Sequence, residues 1–342
     1  MMIDPRLRAL AALRFNTVQT LDDIWNPAPF HVEGLHYGIA QLLLAGLVEA
    51  RTSRSSSPLG LVVQGQKGTG KTHLLGWIRE RFQREGGYFF LINLLDAKSF
   101  WTSVVVSMLD GLWKPAPDGR YQITVFLDRL ASLIGAQRMV RRAVAGQAPL
   151  STEELDAFIL ALRRFDRVLG QDAQDTARAL ALFAAQDLRA QDIGQAFLCS
   201  MPEGEAGERN WWGIRQVQKT PQEIVRDVSR LLALTGPSLF AVDQIDTLVA
   251  QSALHTDGGG EMHWRDHLMI EEIAGGLMTL REVTQRTLTI VSCIPQTWTL
   301  IEKYATDTVQ DRFSHALQLH TIPDAATGRA LVEKRFAARF RE

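Results

Sequence analysis

Cysteine is scarce in this chain of 342 residues, which contains only Cys199 and Cys293. Two cysteines are too few for a disulfide framework, and they are too far apart along the chain to match the short spacing of a zinc site. The scarcity is typical of a protein of a reducing compartment, and we expect a cytoplasmic location.

Long hydrophobic runs are also missing. The longest, residues 39–48, is interrupted by Gln41 and Gly46, and it is shorter than the roughly 20 apolar residues that a membrane-spanning helix needs. Residues 1–15 include Asp4 and several arginines and lack the continuous apolar stretch of a signal peptide. We therefore expect no membrane partner.

The chain has no excess of charge of either sign. It contains 37 Lys and Arg against 38 Asp and Glu, for a formal net charge of -1. No global electrostatic field therefore favours nucleic acid or a membrane surface, although a local basic patch is not excluded. With 342 residues, 46% of them hydrophobic, the chain can form one large domain or two smaller ones with buried cores.

One stretch fits the phosphate-binding (Walker A) pattern G-x-x-x-x-G-K-[ST] at every fixed position. It consists of Gly65, Gln66, Lys67, Gly68, Thr69, Gly70, Lys71 and Thr72. The apolar run 59–64 before it predicts a buried strand. The helical spacing of the apolar residues in 74–82 predicts an amphipathic helix after it. Strand, glycine loop and helix form the context that this motif requires.

This context predicts a site for the phosphates of a nucleotide. Glycines let successive backbone N–H groups point at an anion, and the helix N-terminus adds a partial positive charge. In this pattern Lys71 reaches the β- and γ-phosphates, and the hydroxyl of Thr72 is a ligand of Mg²⁺. The alternative is an ordinary glycine-rich turn between a strand and a helix.

A second motif is an apolar strand that ends in a carboxylate, residues 239–243, as in a Walker B pattern. An aspartate at this end of a strand beside the phosphate loop can hold Mg²⁺ through water, which makes Asp243 the second candidate metal ligand. Gln244 follows it, and glutamine can orient a water but cannot accept its proton. Asp246 is the nearest carboxylate that could serve as the base instead.

A third apolar run, residues 288–293, predicts another strand. Ser292 lies near its carboxyl end, where a polar residue would approach the γ-phosphate in the position called sensor 1. The alternative is that Ser292 is a structural serine.

Together these motifs resemble the AAA+ P-loop ATPases, nearest to their origin-recognition/initiator branch and its bacterial AAA-type relatives. The resemblance is carried by residues 65–72, 242–246, Ser292 and 309–314, which occur in the order typical of the family. It implies an α/β fold, namely a P-loop NTPase three-layer αβα sandwich with a mainly parallel sheet, and ATP with Mg²⁺ as ligands. It also implies a homo- or hetero-oligomer in which Arg312 contacts the γ-phosphate on a neighbouring subunit. The alternative for Arg312 is a salt bridge within its own domain.

The resemblance also suggests a division of the chain. We expect an N-terminal extension with a helix (1–58), a nucleotide-binding core (59–98 and 220–322), a large, mostly helical insertion (99–219) and the start of a truncated or minimal helical lid (323–342). Because the chain ends where the lid would begin, we assign no sensor 2 arginine and expect the front part of a longer protein.

The insertion contains two features whose role the sequence leaves open. Paired tryptophans at 211 and 212 are either an interface patch or buried against the helices of the insertion. Six arginines form either a basic surface or an ordinary solvated helix face: Arg138, Arg141, Arg142, Arg163, Arg164 and Arg167.

The sequence thus predicts an ATP-binding AAA+-like ATPase module, a subunit of an assembly that couples ATP binding and hydrolysis to work on DNA or a protein partner. Because Gln244 stands where the family has a glutamate, we expect weak hydrolysis. The alternative function is a nucleotide switch or scaffold of the STAND type, with slow or no turnover. A small-molecule or nucleotide kinase is a third class, for which the sequence contains no recognisable acceptor site.

Overall fold

The structure is a computed structural model. It describes residues 21–26, 32, 34–54, 56–94, 99–216, 218–243, 245–246, 248, 264–304, 311–314, 316–319, 322 and 324–339. Within these residues the protein is mixed α/β with a five-stranded sheet in which every pairing is parallel. The predicted role of Gln244 falls outside the described residues.

In the described part of the chain the sheet consists of five strands, three of which are predicted by the apolar runs 59–64, 239–243 and 288–293. The strands are β1 (Leu61–Gln64), β2 (Tyr88–Asn93), β3 (Ser238–Asp243), β4 (Thr287–Cys293) and β5 (Leu317–Gln318). Their order in space is β2-β3-β4-β1-β5. Because all five run in the same direction, the carboxyl ends of β1, β3 and β4 meet at one edge of the sheet.

Helices make up most of the rest of the described chain. A short 3-10 helix spans Leu21–Trp25, followed by α1 (Tyr37–Thr52), α2 (Lys71–Arg84), α3 (Phe100–Leu112), α4 (Gln122–Leu133), α5 (Arg138–Val144), α6 (Thr152–Phe165), α7 (Arg167–Asp172), α8 (Gln174–Phe183), α9 (Leu188–Leu198), α10 (Glu208–Trp211), α11 (Pro221–Thr235), α12 (Trp264–Val283), α13 (Pro295–Tyr304) and α14 (Ala325–Arg339). None of these helices combines the length and the hydropathy that crossing a bilayer requires.

Helices cover both faces of the sheet. Leu61 and Val63 of β1 face a hydrophobic core shared with α1 and α2. Val62, between them, faces a second core that contains α3, α4, α11 and the helices of the insertion. Side chains alternate between the two faces of a strand, and both faces are apolar because both are covered. The insertion therefore shares one continuous core with the sheet.

Side-chain caps decide where several helices begin. Reciprocal capping boxes start α6 at Ser151 with Glu154, and α11 at Thr220 with Glu223, as their sequences predict. The sequence also predicts a single helix from residue 173 to about residue 188, but that helix ends at Phe183. The chain instead forms α8 and α9, because the side chain of Asp187 accepts the backbone N–H of Ala190 and starts a new helix there.

Strand β2 is an edge strand of the sheet, and a side chain of the insertion hydrogen-bonds to its outer edge. Gln122, at the start of α4, is 1% exposed. Its Oε1 accepts the backbone N–H of Phe89 at 2.9 Å, and its Nε2 donates to the Phe89 carbonyl at 2.9 Å and to the Gly111 carbonyl at 2.7 Å. Its amide thus pairs with both peptide groups of Phe89, as a neighbouring strand would.

We expect Gln122→Ala to lower the free energy of unfolding by about 2–4 kcal/mol, because it leaves two buried backbone groups of Phe89 without a partner. Chemical denaturation of the two proteins measures the loss. Gln195→Ala is the matched control, since Gln195 is an exposed glutamine of α9 and its loss should cost less than about 0.5 kcal/mol. A loss below 1 kcal/mol for Gln122→Ala would contradict this role.

Candidate phosphate-binding site

The loop between β1 and α2 has the backbone that its glycines predict. Gly68 and Gly70 have φ angles of 87° and 96°, in the left-handed region that other residues rarely adopt. Gly65 has a different reason to be glycine, since a Cβ there would lie 2.4 Å from the Thr69 Oγ1. Gln66, Lys67 and Gly68 form the exposed tip of the loop.

Lys71 is the first residue of the 14-residue helix α2, and its side chain folds back over the loop. Its Nζ donates to the Gly65 carbonyl at 2.6 Å and lies 3.4 Å from the Gln66 carbonyl. The ammonium group therefore lies over the loop beside the amino end of α2, where the helix dipole also attracts anions. This arrangement concentrates positive charge where the sequence predicts phosphates.

Thr72 and Asp243 meet although 171 positions separate them. The Thr72 Oγ1 donates to the Asp243 Oδ2 at 3.4 Å. Asp243 is the last residue of β3 and is only 4% exposed. The two predicted metal ligands are thus adjacent, because the parallel sheet brings the carboxyl ends of β1 and β3 to the same edge.

Ser292 lies at the level of Asp243 on the neighbouring strand. The register pairs Val242 with Val291, so Asp243 and Ser292 follow side by side on β3 and β4. Ser292 is completely buried, and its Oγ has no hydrogen-bond partner among the described residues. On its other side it pairs with Val63 of β1, just before the glycine loop.

Asn93, which none of the sequence motifs includes, completes this row of polar residues. It is the last residue of β2 and pairs in register with Asp243. Strand alternation places its side chain on the same face as Asp243 and Ser292. The signal available in the sequence was a polar residue directly after the apolar run 88–92.

The carboxylate of Asp246 has a structural partner. Its Oδ1 accepts the backbone N–H of Ile294 at 2.9 Å, just after the last residue of β4. This bond joins the segment after β3 to the end of β4 and keeps Asp246 at the carboxyl edge of the sheet. Burial, followed by the nearby negative charge of Asp246, raises the pKa of the Cys293 thiol, so that Cys293 stays neutral there.

Arg312 lies apart from the other candidate residues. Its backbone carbonyl accepts the N–H of Gly60 at 3.0 Å, at the amino end of β1. Its Nη2 lies 2.6 Å from the Glu282 Oε1, near the end of α12. Because β1 spans about 13 Å, Arg312 is at the opposite edge of the sheet from Lys71. The intramolecular salt bridge, one of the two alternatives for this residue, is present.

Two histidines and an arginine lie near the loop without any sequence signal. The His36 Nε2 lies 3.3 Å from the Thr69 carbonyl oxygen. Burial lowers the pKa of His73, and the positive charges of Arg335 and His36 lower it further. His73 on α2 is therefore neutral at pH 7. These residues come from distant segments, so only the tertiary structure brings them together.

Comparison of the chain with the profiles of known protein families, with curated proteins and with solved structures gave no match in any of the three cases.

Proposed function

We propose that this chain is an ATP-binding AAA+-like ATPase module with a P-loop NTPase αβα sandwich, acting as a subunit of an oligomer. The observation that carries the proposal is the contact between Thr72 and Asp243 at 3.4 Å, at the amino end of α2 next to Lys71. A coincidental glycine-rich turn has no reason to align a hydroxyl and a buried carboxylate from a distant strand.

The side chains of this site suit both the phosphates of ATP and a Mg²⁺ ion. Lys71 and the amino end of α2 supply positive charge for phosphate oxygens. The oxygens of Thr72 and Asp243 are of the type that Mg²⁺ prefers, and few protein ligands suffice because the ion keeps phosphate and water oxygens. The metal would neutralise phosphate charge, while Lys71 exchanges its loop carbonyls for phosphate oxygens and Thr72 and Asp243 orient the ion.

The strand order supports a role for Ser292 beside the γ-phosphate. β4 lies between β1 and β3, so the buried hydroxyl of Ser292 is placed between the glycine loop and Asp243. A buried hydroxyl without a protein partner in the described chain is costly unless it acquires one. A phosphate oxygen or the attacking water would be that partner.

The position of Arg312 supports an oligomer in which this residue acts on a neighbour's nucleotide. It lies at the amino edge of the sheet, where it cannot serve its own glycine loop. The salt bridge to Glu282 joins side chains that are 37% and 46% exposed, and pairs of this kind contribute about 0–1 kcal/mol. Arg312 can therefore leave Glu282 for a neighbour's phosphate at little cost.

The proposal is tested by the steady-state ATPase rate per subunit over a range of protein concentrations. We expect the rate to rise with concentration and to fall at least about 10-fold in Arg312→Ala, because one lost charge-assisted contact of 1.4 kcal/mol or more has that effect. Binding of ATP should stay unchanged.

Arg84→Ala is the control, since Arg84 is also an exposed arginine paired with a glutamate, Glu80. Full turnover in Arg312→Ala would exclude a role for Arg312 in catalysis. A concentration-independent rate would argue against a site shared between subunits.

A second function, the STAND-type switch or scaffold with slow turnover, is favoured by one observation. The carboxylate of Asp246, the nearest candidate base, is engaged by the N–H of Ile294. Tight ATP binding with ATP-dependent assembly and no turnover would favour the switch over the ATPase. A rate that rises on addition of double-stranded DNA would favour the ATPase and DNA as its partner.

A further inference from the structure

The helical insertion contains a cleft with a volume of about 500 Å³. It lies between the second half of α4, the short helix α5 and the segment that follows α5. The polar side chains that line it belong to Asp128, Ser132, Arg138, Arg141, Arg142 and Gln147. None of these residues belongs to the loop between β1 and α2, so the cleft is separate from the candidate phosphate-binding site.

The charge of the cleft is dominated by arginine. Arg141 is paired with Asp128, whose two carboxylate oxygens both accept from its guanidinium, and Arg120 adds a second contact to the same carboxylate. Arg138 and Arg142 are exposed, and among the described residues neither has an ion-pair or hydrogen-bond partner. Two positive charges therefore remain uncompensated in one concave surface.

The cleft offers donors that suit the oxygens of a phosphate group. Guanidinium groups bind phosphate through two parallel N–H···O bonds, which a carboxylate-lined or apolar cleft cannot provide. The hydroxyl of Ser132 and the amide of Gln147 add neutral donors. Among the described residues, Asp128 is the only acidic one in the lining. Arginines already occupy its oxygens, so it repels an incoming anion less.

The volume of the cleft and the charge balance of the insertion both favour a small ligand. The volume of about 500 Å³ lies within the range of about 300–1,000 Å³ found for small-molecule sites. Residues 99–219 contain 14 Lys and Arg and 14 Asp and Glu. The insertion as a whole therefore has no basic field that would attract the backbone of a nucleic acid.

We propose that this cleft is a binding site for a small phosphate-bearing anion, in which Arg138 and Arg142 bind the phosphate. This inference is independent of the proposed nucleotide site, because it uses neither the glycine loop nor the sheet.

The test is isothermal titration of the Lys71→Ala chain, in which the glycine loop is impaired, with inorganic pyrophosphate. We expect one site per chain, weakened at least about 10-fold when Arg138→Ala and Arg142→Ala are added, since each substitution removes a charge-assisted contact to the phosphate. Arg164→Ala is the matched control, because Arg164 is an exposed arginine on α6 outside the cleft.

Titrations with other ligands distinguish an organic phosphate from an inorganic one as the natural ligand. Tighter binding of ribose 5-phosphate than of pyrophosphate would assign the cleft to an organic phosphate, and the reverse would assign it to the inorganic ion. No binding of either at millimolar concentration, or equal binding by the double variant, would overturn the proposal. Arginine-dependent binding of single-stranded DNA more tightly than of either would overturn it as well. Equal thermal midpoints establish that the variants are folded.

Discussion

Replacing Lys71 by alanine is expected to weaken the binding of ATP by about 100-fold or more. The ammonium group lies 2.6 Å from the Gly65 carbonyl inside the loop, and hydrogen bonds between a charged donor and phosphate contribute about 1.5–3 kcal/mol each. Because Lys71 can contact more than one phosphate oxygen, its loss should remove about 3 kcal/mol of binding free energy. Isothermal titration with ATP in the presence of Mg²⁺ measures the change.

Lys67→Ala is the matched control for this experiment. Lys67 is a lysine of the same loop, but it lies at the exposed tip, away from the amino end of α2. Its loss should change the affinity less than about 3-fold, as expected for an exposed charge. An affinity of Lys71→Ala for ATP within about 3-fold of that of the unchanged protein would show that the loop is not a nucleotide site.

The dependence of ATP binding on Mg²⁺ provides an independent test of the same site. If Thr72 and Asp243 hold Mg²⁺, the affinity of the unchanged protein for ATP depends on the ion, and Asp243→Ala removes that dependence. An Asp243→Ala chain with unaltered dependence on Mg²⁺ would place the metal elsewhere. Loss of ATP binding in Lys71→Ala together with unaltered metal dependence in Asp243→Ala would retain the phosphate site and reject only its metal ligands.

The sequence predicted the parts of the site that depend on local pattern. The glycine loop is determined by residues that are adjacent along the chain, and its flanking strand and helix have clear periodicity. The approach of Asp243 to Thr72 could also be predicted, because strands of a parallel sheet end at a common edge. Sequence alone could not supply the register that aligns Asn93, Asp243 and Ser292.

The remaining contacts depend on packing between distant segments. Nothing near Asp246 in the sequence indicates that its carboxylate binds the N–H of Ile294. The pairing of Arg312 with Glu282 depends on how α12 passes the amino end of β1. The approach of His36 to Thr69 likewise follows from the way in which the segment before α1 packs beside the loop.

The packing of the insertion against the sheet is a larger example of contacts that the sequence does not predict. Periodicity and caps predict its helices, but nothing in the sequence indicates that they share a core with the sheet. In the structure, polar contacts as well as apolar ones join the insertion to the sheet. Gln122 pairs with the edge of β2, and hydrogen bonds around a buried ion pair join α7 and α8 to α11.

That ion pair is formed by Lys219 and Asp227, which are 5% and 0% exposed. The Lys219 Nζ lies 2.5 Å from the Asp227 Oδ2, and the Thr176 Oγ1 on α8 donates to the same oxygen at 2.9 Å. Lys219 also donates to the carbonyl of Asp172 at 2.8 Å. The charges are thus satisfied within the network, which joins the amino end of α11 to the helices of the insertion.

We expect Asp227→Ala to lower the free energy of unfolding by about 3–5 kcal/mol, because it leaves the ammonium of Lys219 buried without its counter-ion. Chemical denaturation followed by circular dichroism measures this loss. The double variant Lys219→Met, Asp227→Leu should lose clearly less, since apolar residues of similar volume leave no unpaired charge.

The surface pair of Arg189 and Glu205 supplies the matched control. Both side chains are exposed, at 66% and 72%, so Glu205→Ala should cost less than about 1 kcal/mol. If Asp227→Ala costs no more than Glu205→Ala, Lys219 finds solvent or another partner on losing Asp227, and the network does not fix the insertion. If the double variant is as unstable as Asp227→Ala, the loss comes from packing around α11 rather than from a stranded charge.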